Sequence, residues 1–511
     1  METFLYKRNL NKNPKINVWF CYGAIENFAM ASLGFLSIFK DLDLNSDLFV
    51  ERVYQDTHTT KIPPNNVDCM GFSISFELDI LTIIKMLQKY NFPLKSLDRG
   101  EKDPIIFAGG PVMMSNPLPY QDFFDFISIG EKNALSAAFE ILKEKNNFSR
   151  DEILKKLSCL EGIYVPKYPK TVKITRDNLE NEVIYTPILS DNSFFKNTFV
   201  IELERGCPKM CNFCLASWLN LPARFAPFDK IIEAIDLGLQ YTNKIALLGA
   251  YVAGHPRFGD IIKYIASKDN IELSISSLRA DLADKDLIET LVKCGQKTAT
   301  IALEAGSQRL RDLIHKDLTA EQILKTVSDM KLYGLKGVKI YTMLGLPTEN
   351  DDDIEELINL VRKMKNEVKG FNITISSSTF IPKIHTPFER VERADKKVLE
   401  GRINYLKKSF HKMGVEYRSS SIEWDIIQSI LSRYPDSLAD FLIDVVESGA
   451  NLGAFKKTWR QYNKKGLLPD FDFSAKAPLN NIKTLKWGFV KTGAETFKEN
   501  VLANLVSLML N

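Results

Sequence analysis

The sequence predicts an α/β protein with two successive parallel-sheet units and a mostly helical C-terminal region. Short apolar runs alternate with amphipathic helical patterns in two stretches of the 511-residue chain. Glycines follow several of these runs, and helical patterns predominate after about residue 392. Strands that alternate with helices form parallel sheets covered on both faces. Because a chain of this length exceeds one hydrophobic core, several domains are expected.

Residues 1–165 predict a flavodoxin- or Rossmann-like parallel-sheet domain. Helical patterns lie near residues 29–39 and 78–90, and the predicted strands are Ile16–Tyr22, Leu48–Tyr54, Val67–Ser75, Pro104–Ala108 and Phe124–Ile129. Open parallel sheets bind ligands at the carboxyl ends of their strands. Gly109, Gly110 and Gly130 follow two of these strands and mark the expected ligand side of the domain.

Residues 166–197 predict a connecting segment with some short strands, because they are rich in Pro, Lys, Thr, Asn and Asp. A second alternation then fills residues 198–392. Its predicted strands are Thr198–Glu204, Lys244–Gly249, Glu272–Ser276, Thr298–Leu303, Val338–Leu344 and Asn372–Phe380, with helical patterns between them. Six such units predict a central partial (β/α)6 TIM-like barrel, with its chemistry at the carboxyl ends of the strands.

Residues 393–511 predict a mostly helical region, with helical patterns at Leu399–Met413, Trp424–Ser432 and Ser437–Ser448. Several lysines lie between residues 456 and 465. Phe455, Trp459 and Tyr462 are spaced i, i+4 and i+7 there, which is typical of an amphipathic helix with a solvated basic face.

The composition is that of an ordinary globular protein, with 45% apolar and 26% charged residues. A net charge of +3 gives no indication of a nucleic-acid partner. The longest apolar runs are shorter than the roughly 20 residues of a membrane span, so no membrane partner is expected. The N-terminal residues are polar and carry no secretory pattern, which predicts a cytoplasmic protein.

The seven cysteines fall into two groups. Four are isolated and predict small core residues: Cys21, Cys69, Cys159 and Cys294. Cys207, Cys211 and Cys214 follow the first strand of the second alternation with C-x3-C-x2-C spacing, so one loop can wrap them around a metal centre. Three ligands are one fewer than a closed iron–sulfur cluster needs, which leaves one iron open. A zinc site usually has four ligands, and the nearest further candidate is His255.

This loop resembles the C-x3-C-x-Φ-C motif of the radical S-adenosylmethionine (SAM) superfamily, with Phe213 at the apolar position Φ. The resemblance implies a 4Fe–4S cluster held by the three cysteines and SAM chelated to the open iron. Phe213 would pack near the adenine. Reduction of the cluster would cleave SAM into methionine and a 5′-deoxyadenosyl radical. A low-potential electron donor such as flavodoxin or ferredoxin is also implied.

Residues at the ends of the next two strands extend the resemblance. Gly249 and Ala250 follow the second strand, where the family often has Gly-Gly-Glu for the methionine amino group. The glutamate is missing here, so backbone carbonyls would have to serve. Arg279 follows the third strand. It fits either a ligand of the SAM carboxylate or ribose or an ion pair at the rim.

The fourth to sixth strands supply further candidates by the same resemblance. Glu304 is placed to accept from the ribose or the amino group, Ser307 is also suited to cap a helix, and Lys316 would pair with the SAM carboxylate. Gly345 would allow backbone to approach the adenine. His385 follows the sixth strand and is expected near the mouth of the site, where a structural loop histidine is the favoured interpretation.

Over nearly its whole length the chain is similar to the branch of this superfamily with an N-terminal cobalamin-binding-like domain. Cobalamin domains of this fold use a Ser-x-Leu and a Gly-Gly, to which Ser73, Ser75, Gly109 and Gly110 correspond. No histidine follows the first strand to coordinate the lower face of cobalamin. Residues 56–61 resemble that histidine motif but follow the second strand, which we interpret as coincidence. An occupied domain, with cobalamin-dependent methyl or group transfer, and an empty one both stay open.

Two other functions are considered. A tRNA methylthiotransferase also joins a flavodoxin-like domain to a radical barrel, but it needs a second set of cysteines, and Cys21, Cys69 and Cys159 are dispersed. A non-enzymatic iron–sulfur or zinc protein, structural or sensing, would not need glycines at the strand ends of a barrel. The sequence identifies neither the second substrate nor a catalytic residue that acts on it.

Overall fold

A computed structural model describes residues 1–9, 11, 13–471 and 486–510 of the chain. The first unit contains a six-stranded sheet in the order β3-β2-β4-β5-β6-β7. All neighbouring strands in it are parallel except β7, which pairs antiparallel with β6. The strands of this unit are β1 (Glu2–Phe4), β2 (Ile16–Tyr22), β3 (Leu48–Val53), β4 (Cys69–Ser73), β5 (Ile105–Gly109), β6 (Phe126–Ser128) and β7 (Ile163–Tyr164).

Helices cover both faces of this sheet. They are α1 (Glu26–Ala29), α2 (Leu33–Leu44), α3 (Asp79–Lys89), α4 (Pro111–Ser115), α5 (Lys132–Leu142) and α6 (Arg150–Ser158). Val18 and Phe20 of β2 pack in the core beneath α2 and α5, while Trp19 and Cys21 pack in the opposite core with α3. A strand buried on both faces is apolar at every position, which explains the continuous apolar run of β2.

The second unit arranges the predicted strands in two four-stranded sheets, with orders β15-β14-β11-β9 and β16-β17-β18-β19. A parallel bridge between Leu278 and Ile301 connects them. The strands from this part of the chain onward are β8 (Val172–Lys173), β9 (Ile184–Tyr185), β10 (Ile188–Ser190), β11 (Phe199–Glu202), β12 (Glu204–Arg205), β13 (Arg224–Phe225), β14 (Lys244–Leu248), β15 (Glu272–Ile275), β16 (Thr298–Glu304), β17 (Gly337–Leu344), β18 (Asn372–Thr379), β19 (Glu416–Ser419) and β20 (Val490–Lys491).

Helices on the outside of these sheets bury an apolar core with the strands. They are α8 (Phe228–Leu239), α9 (Phe258–Ala266), α10 (Lys285–Lys293), α12 (Ala320–Leu332), α13 (Asp351–Glu367) and α14 (Lys396–Lys412). Two short helices pack elsewhere, α7 (Leu215–Leu219) with the N-terminal core and α11 (Gln308–Leu313) in a smaller cluster. Capping boxes at Thr319 and Asn350 define the starts of α12 and α13. The predicted α/β class with parallel sheets is therefore confirmed.

The C-terminal region contributes more than helices. Its strand β19 pairs parallel with β18 and extends the second sheet, and β20 pairs with β8. The remaining helices are α15 (Ile422–Arg433), α16 (Ala439–Glu447), α17 (Leu452–Lys464) and α18 (Glu495–Leu510). None of the described helices combines the length and apolar character needed to cross a membrane.

Helices α15 to α17 complete the core of the N-terminal sheet. Ile427, Phe441 and Trp459 lie in the same apolar cluster as Trp19 and Ile83. The prediction that α17 is amphipathic is confirmed, because Phe455 and Trp459 face this core while the lysines near the end of the helix are exposed. The last part of the chain is therefore packed on the first part.

Candidate cluster-binding site

The three closely spaced cysteines lie in one loop at the carboxyl end of the first strand of the second unit. The loop and α7 connect β12 to β13, which pair antiparallel with each other. Cys207 and Cys211 are buried, Cys214 is half-buried directly before α7, and all three are free thiols. The local spacing thus places three thiols in one loop, as the sequence predicts.

The backbone of this loop is wound tightly. Gly206 has a φ of +80°, and a Cβ there would lie 2.4 Å from the carbonyl oxygen of Asn220. The indole N–H of Trp218 donates to the carbonyl of Cys211 over 3.0 Å, and the Cys214 N–H donates to the same oxygen. Glycine is needed at 206 because a side chain would meet backbone in a strained conformation.

Asn212 anchors the loop from both sides. Its side-chain amide donates to the carbonyl of Leu313 over 2.8 Å, and its backbone N–H donates to Ile314. Its own carbonyl accepts from the N–H of Phe388, in the segment after β18. The cysteines are thereby fixed relative to the ends of the fourth and sixth strands of the unit.

Burial and nearby cations have opposite effects on the cysteine thiols. Burial raises the pKa of Cys211 to about 12, and the positive charges of Lys316 and Arg279 act in the opposite direction. Burial also raises the pKa of Cys207, again opposed by Arg279. Nearby cations favour the deprotonated thiolate, which is the form that binds metal.

The donor set fits an iron–sulfur cluster with an open iron, because three thiols in one loop leave one iron of four without a protein ligand. Among the described residues, no three Cys, His, Asp or Glu side chains already converge as they would around a single metal ion. His255 offers no fourth ligand, since its Nε2 lies 2.9 Å from the carbonyl of Ala226 and its Nδ1 accepts from the N–H of Arg257.

Glu304 and Lys316 form an ion pair beside the cysteine loop. The Lys316 ammonium lies 3.1 Å from the Glu304 carboxylate, and both side chains are largely buried. Glu304 adopts a φ of +68°, which is uncommon for a residue other than glycine and turns the chain at the end of β16. The two residues predicted to meet separate parts of the ligand are thus paired with each other.

Arg279 joins the third strand end to this pair. Its guanidinium donates to Asp281 over 2.9 Å and to the carbonyl of Lys316 over 2.9 Å. The ion pair with Asp281 matches the alternative to ligand binding that the sequence left open. Arg279 nevertheless lies close enough to Cys207 and Cys211 for its charge to lower the pKa of both thiols.

Two of the residues predicted to lie near SAM, Ser307 and Gly345, have structural roles. Ser307 is fully buried, accepts from the N–H of Leu310 to cap α11 and donates to Asp353 over 2.6 Å. Gly345 has a φ of +80°, and a Cβ there would meet Ala394 and Leu399. Both residues stabilise the turns at the strand ends, and their contact with SAM stays a prediction.

Phe213, within the cysteine loop, packs against a small apolar cluster. Its neighbours in that cluster include Met343 and Leu346 from the end of β17, and Val501 and Leu505 from α18. The end of β17 predicted to approach the adenine is therefore beside Phe213. The C-terminal helix, which the sequence did not connect with this site, covers the same cluster.

Glu204 is a site residue that the sequence reasoning missed. It begins β12 and is 2% exposed, and its carboxylate lies against Gly249, where a Cβ would be 2.1 Å from both oxygens. The N–H of Tyr251 donates to Oε1, whereas Oε2 has no hydrogen-bond partner. Burial raises the pKa of Glu204 to about 8. Its place at a strand end, three residues before Cys207, was the available signal.

The predicted N-terminal ligand residues surround a cavity of about 270 Å³. Ser73, Ser75, Gly109 and Gly110 line it at the carboxyl ends of β4 and β5, together with residues of α2 and α5. Gly110 has a φ of +102°, and a Cβ there would lie 2.5 Å from the carbonyl oxygen of Ile74. This is the side of an open α/β sheet at which ligands bind.

The histidines near these sites do not line the cavity. His58, in the stretch that resembles the missing cobalamin motif, is exposed in the loop after β3. His385 was expected near the mouth of the site but is buried between the two units. Its Nε2 lies 2.9 Å from the carbonyl of Ser115. Burial lowers the pKa of His385 to about 4, which keeps the ring neutral.

Family models match both units of the chain. One described as "Radical SAM proteins, N-terminal" matches residues 34–166, and one described as "Radical SAM superfamily" matches residues 201–361. Uncharacterized protein MJ0966 of Methanocaldococcus jannaschii is 33% identical over 399 residues, which is 77% of this chain and 83% of that protein.

More distant relatives include the tRNA-2-methylthio-N(6)-dimethylallyladenosine synthase of Anoxybacillus flavithermus, 25% identical over 261 residues. That match covers 47% of this chain and 48% of the synthase, so it spans about half of each. Among solved structures, the cobalamin-dependent SAM radical enzyme OxsB, with aqua-cobalamin and SAM bound, has a TM-score of 0.53 at 13% identity. The alignment covers 99% of this chain and 84% of the OxsB chain, so the two proteins have similar folds.

Proposed function

The chain belongs to the radical SAM superfamily, and from that premise we propose that it is an enzyme whose Cys207, Cys211 and Cys214 hold a 4Fe–4S cluster. When bound, the cluster would supply the electron that cleaves SAM into methionine and a 5′-deoxyadenosyl radical. A low-potential donor such as flavodoxin or ferredoxin would deliver that electron.

The observation that carries this proposal is the combination of three thiols in one loop with two cations beside them. Burial raises the pKa of Cys211, and the charges of Lys316 and Arg279 oppose this effect. Their charge would offset that of a cluster with three thiolate ligands. Asn212 holds the loop against α11.

The strands beneath this loop offer room for a second substrate. Ile301, Ile340 and Ile375 face the helices in the apolar core. The alternate positions point to the opposite face of the sheet, where Tyr341 lies between Ala302 and Ser376 in the strand register and is 39% exposed. A half-open, polar strand face below the thiols is where we propose that the unidentified substrate binds.

We further propose that the N-terminal domain binds cobalamin without a histidine ligand. The cavity beside Ser73 and Gly109 supports this, because it lies at the carboxyl ends of the strands. Glu131, which also lines the cavity, accepts hydrogen bonds from Arg205 and Arg224 on either side of the cysteine loop. A cofactor in the cavity would therefore lie beside the elements that hold the cluster, as methyl or group transfer requires.

A tRNA methylthiotransferase is the second candidate, favoured by the relatives that match about half of the chain. The second cluster of such an enzyme has no evident ligands here. Cys21 and Cys69 lie in the opposite cores of the N-terminal sheet, and Cys159 is exposed at the end of α6. Counting iron separates the two functions, since two clusters would give about eight iron per chain instead of about four.

The test is anaerobic reconstitution of the full chain with iron and sulfide, followed by addition of SAM and a low-potential reductant. We expect about four iron per chain, a brown colour and formation of 5′-deoxyadenosine. A chain that binds about one zinc and no iron would instead support a structural or sensing role. Iron uptake without any 5′-deoxyadenosine would contradict the proposed enzyme.

A further inference from the structure

We propose that Glu204 accepts the α-amino group of SAM, and so replaces the acidic residue that is missing after Gly249. This inference rests on the proposed function and assigns a positioning residue within the same site. Neither the cysteine motif nor the resemblance points to Glu204, because it precedes the motif.

The carboxylate of Glu204 has only backbone donors. The residue is 2% exposed, the N–H of Tyr251 donates to Oε1, and the N–H of Ala250 is close enough to the carboxylate to lower its pKa. Its Oε2 is buried without a partner. Leaving a buried acceptor unsatisfied is costly, and this cost is greater for a charged group. A ligand that brings an N–H group to Oε2 would remove that cost.

In the described part of the chain, charged side chains at the strand ends near the thiol loop are paired with each other, except for Glu204. Arg279 pairs with Asp281, and Lys316 pairs with Glu304. Glu204, at the same end of the sheet, forms no ion pair among the described residues, and the charge of Glu202 further raises its pKa. Of these five side chains, Glu204 is the one whose charge a cationic ligand group would compensate.

Glu204 also lies close to the thiol loop. It begins β12, three residues before Cys207, and its carboxylate rests on Gly249, which directly follows β14. Tyr251, which donates to it, lies close enough to Cys207 and Arg279 for their charges to affect its pKa. The carboxylate is therefore beside the thiol loop, on the same side as the residue matched to the amino-group position.

Gly249 acquires a different role from the one that the resemblance implies. A Cβ at 249 would lie 2.1 Å from either oxygen of Glu204, so only glycine leaves room for the carboxylate. Gly249 makes space for an acidic group that comes from another strand. The acid thereby reaches the same corner of the site from a different position in the sequence.

The test compares wild type with Glu204→Gln, after cluster reconstitution, for binding of SAM and of an analogue whose α-amino group is replaced by hydrogen. We expect Glu204→Gln to weaken SAM binding about tenfold, because a hydrogen bond to a charged group contributes roughly that much affinity. Binding of the analogue should stay unchanged. Glu272→Gln, at the other end of the third strand, is the matched control. Iron content and the change in the cluster's electron paramagnetic resonance signal on SAM addition are the readouts besides turnover.

Gly249→Ala is the second variant, because it displaces the carboxylate without removing its charge. It should reduce the preference for SAM over the analogue in the same direction. Equal weakening of both ligands in Glu204→Gln, or no change in either variant, would overturn the inference. A wild-type chain that forms no cluster would contradict the proposed function itself, and a wild type that binds SAM with the variant unchanged would contradict only the role of Glu204.

Discussion

The Glu131 carboxylate of the N-terminal domain lies 2.7 Å from the guanidinium of Arg205, two residues before Cys207. Arg224, directly opposite Arg205 in the β12–β13 pair, donates to the same carboxylate over 2.6 Å. Burial tends to raise the pKa of Glu131, but the hydrogen bond from Arg224 and the charge of Arg205 outweigh it and lower the pKa. One residue thus connects the N-terminal cavity with both ends of the cysteine loop.

Substitution of Glu131 should loosen this connection. Glu131→Gln is expected to lower the free energy of unfolding by about 1.5–3 kcal/mol, because two buried charged hydrogen bonds lose their acceptor charge. Urea denaturation measures the change. Glu182→Gln is the control, since its side chain is 46% exposed in the ion pair with Lys132, which should contribute at most about 1 kcal/mol. Equal losses in both variants would contradict the role of Glu131.

Each cysteine of the loop should be needed for iron. Cys207→Ala, Cys211→Ala and Cys214→Ala are expected to lose most of the bound iron and sulfide after anaerobic reconstitution, because the other four cysteines lie in or directly after other elements, β2, β4, α6 and α10. Cys159→Ala, which alters an exposed cysteine, should keep the wild-type iron content. Full iron content in any of the three loop variants would be inconsistent with the assigned ligands.

The loop conformation should depend on Gly206. Gly206→Ala places a Cβ 2.4 Å from a carbonyl oxygen at a φ of +80°, and strain of this kind costs about 1–3 kcal/mol. We expect a lower melting temperature and reduced iron uptake. In Gly259→Ala the new methyl group meets nothing within 4 Å in the first turn of α9, so this control should gain up to about 1 kcal/mol. An unaffected Gly206→Ala would show that the loop can relax.

Cobalamin binding can be tested by filling the cavity. Gly34 of α2 lines it, and a Cβ there meets no atom within 4 Å, so Gly34→Leu should fold normally. We expect wild type to bind hydroxocobalamin in a spectroscopic titration and Gly34→Leu to lose that binding while retaining iron. Gly401→Leu, an equally open position on α14, serves as control. No binding by wild type would favour an empty domain.

Acid should destabilise the contact between the two units through His385. The ring is buried beside the carbonyl of Ser115, with Lys498, Glu389 and Glu495 as the charged groups around it. Burial lowers its pKa to about 4 from a usual value of 6.5. Between these values the unfolded chain binds the proton and the folded chain does not, so stability falls as the pH falls.

Protonation of one such histidine lowers the free energy of unfolding by at most about 1.4 kcal/mol per pH unit. Unfolding of wild type and His385→Gln, measured from pH 7 to pH 4, should show a weaker pH dependence in the variant. His58→Gln, in an exposed loop, should follow wild type. Parallel curves for wild type and His385→Gln would show that this histidine does not titrate on unfolding.

The sequence by itself determined the features that depend on near neighbours. The C-x3-C-x2-C spacing gathers three thiols because one short loop carries them, and the apolar runs of β2 and β14 predict strands because a short apolar run is a local feature of the sequence. The order of strands and helices likewise indicates parallel sheets without any long-range information. Cys207, Cys211 and Cys214 are therefore readable as a group from the chain alone.

Tertiary structure decided which distant residues meet. Glu204 rests on Gly249, Glu131 reaches Arg205, and His385 contacts Ser115 across the domain interface. Ser307, which caps α11 locally, also donates to Asp353, 46 residues further along the chain. Each of these contacts is set by the packing of sheets and helices far apart in the chain. No local pattern encodes such contacts, because they arise only when the two units and the C-terminal helices bury their apolar faces together.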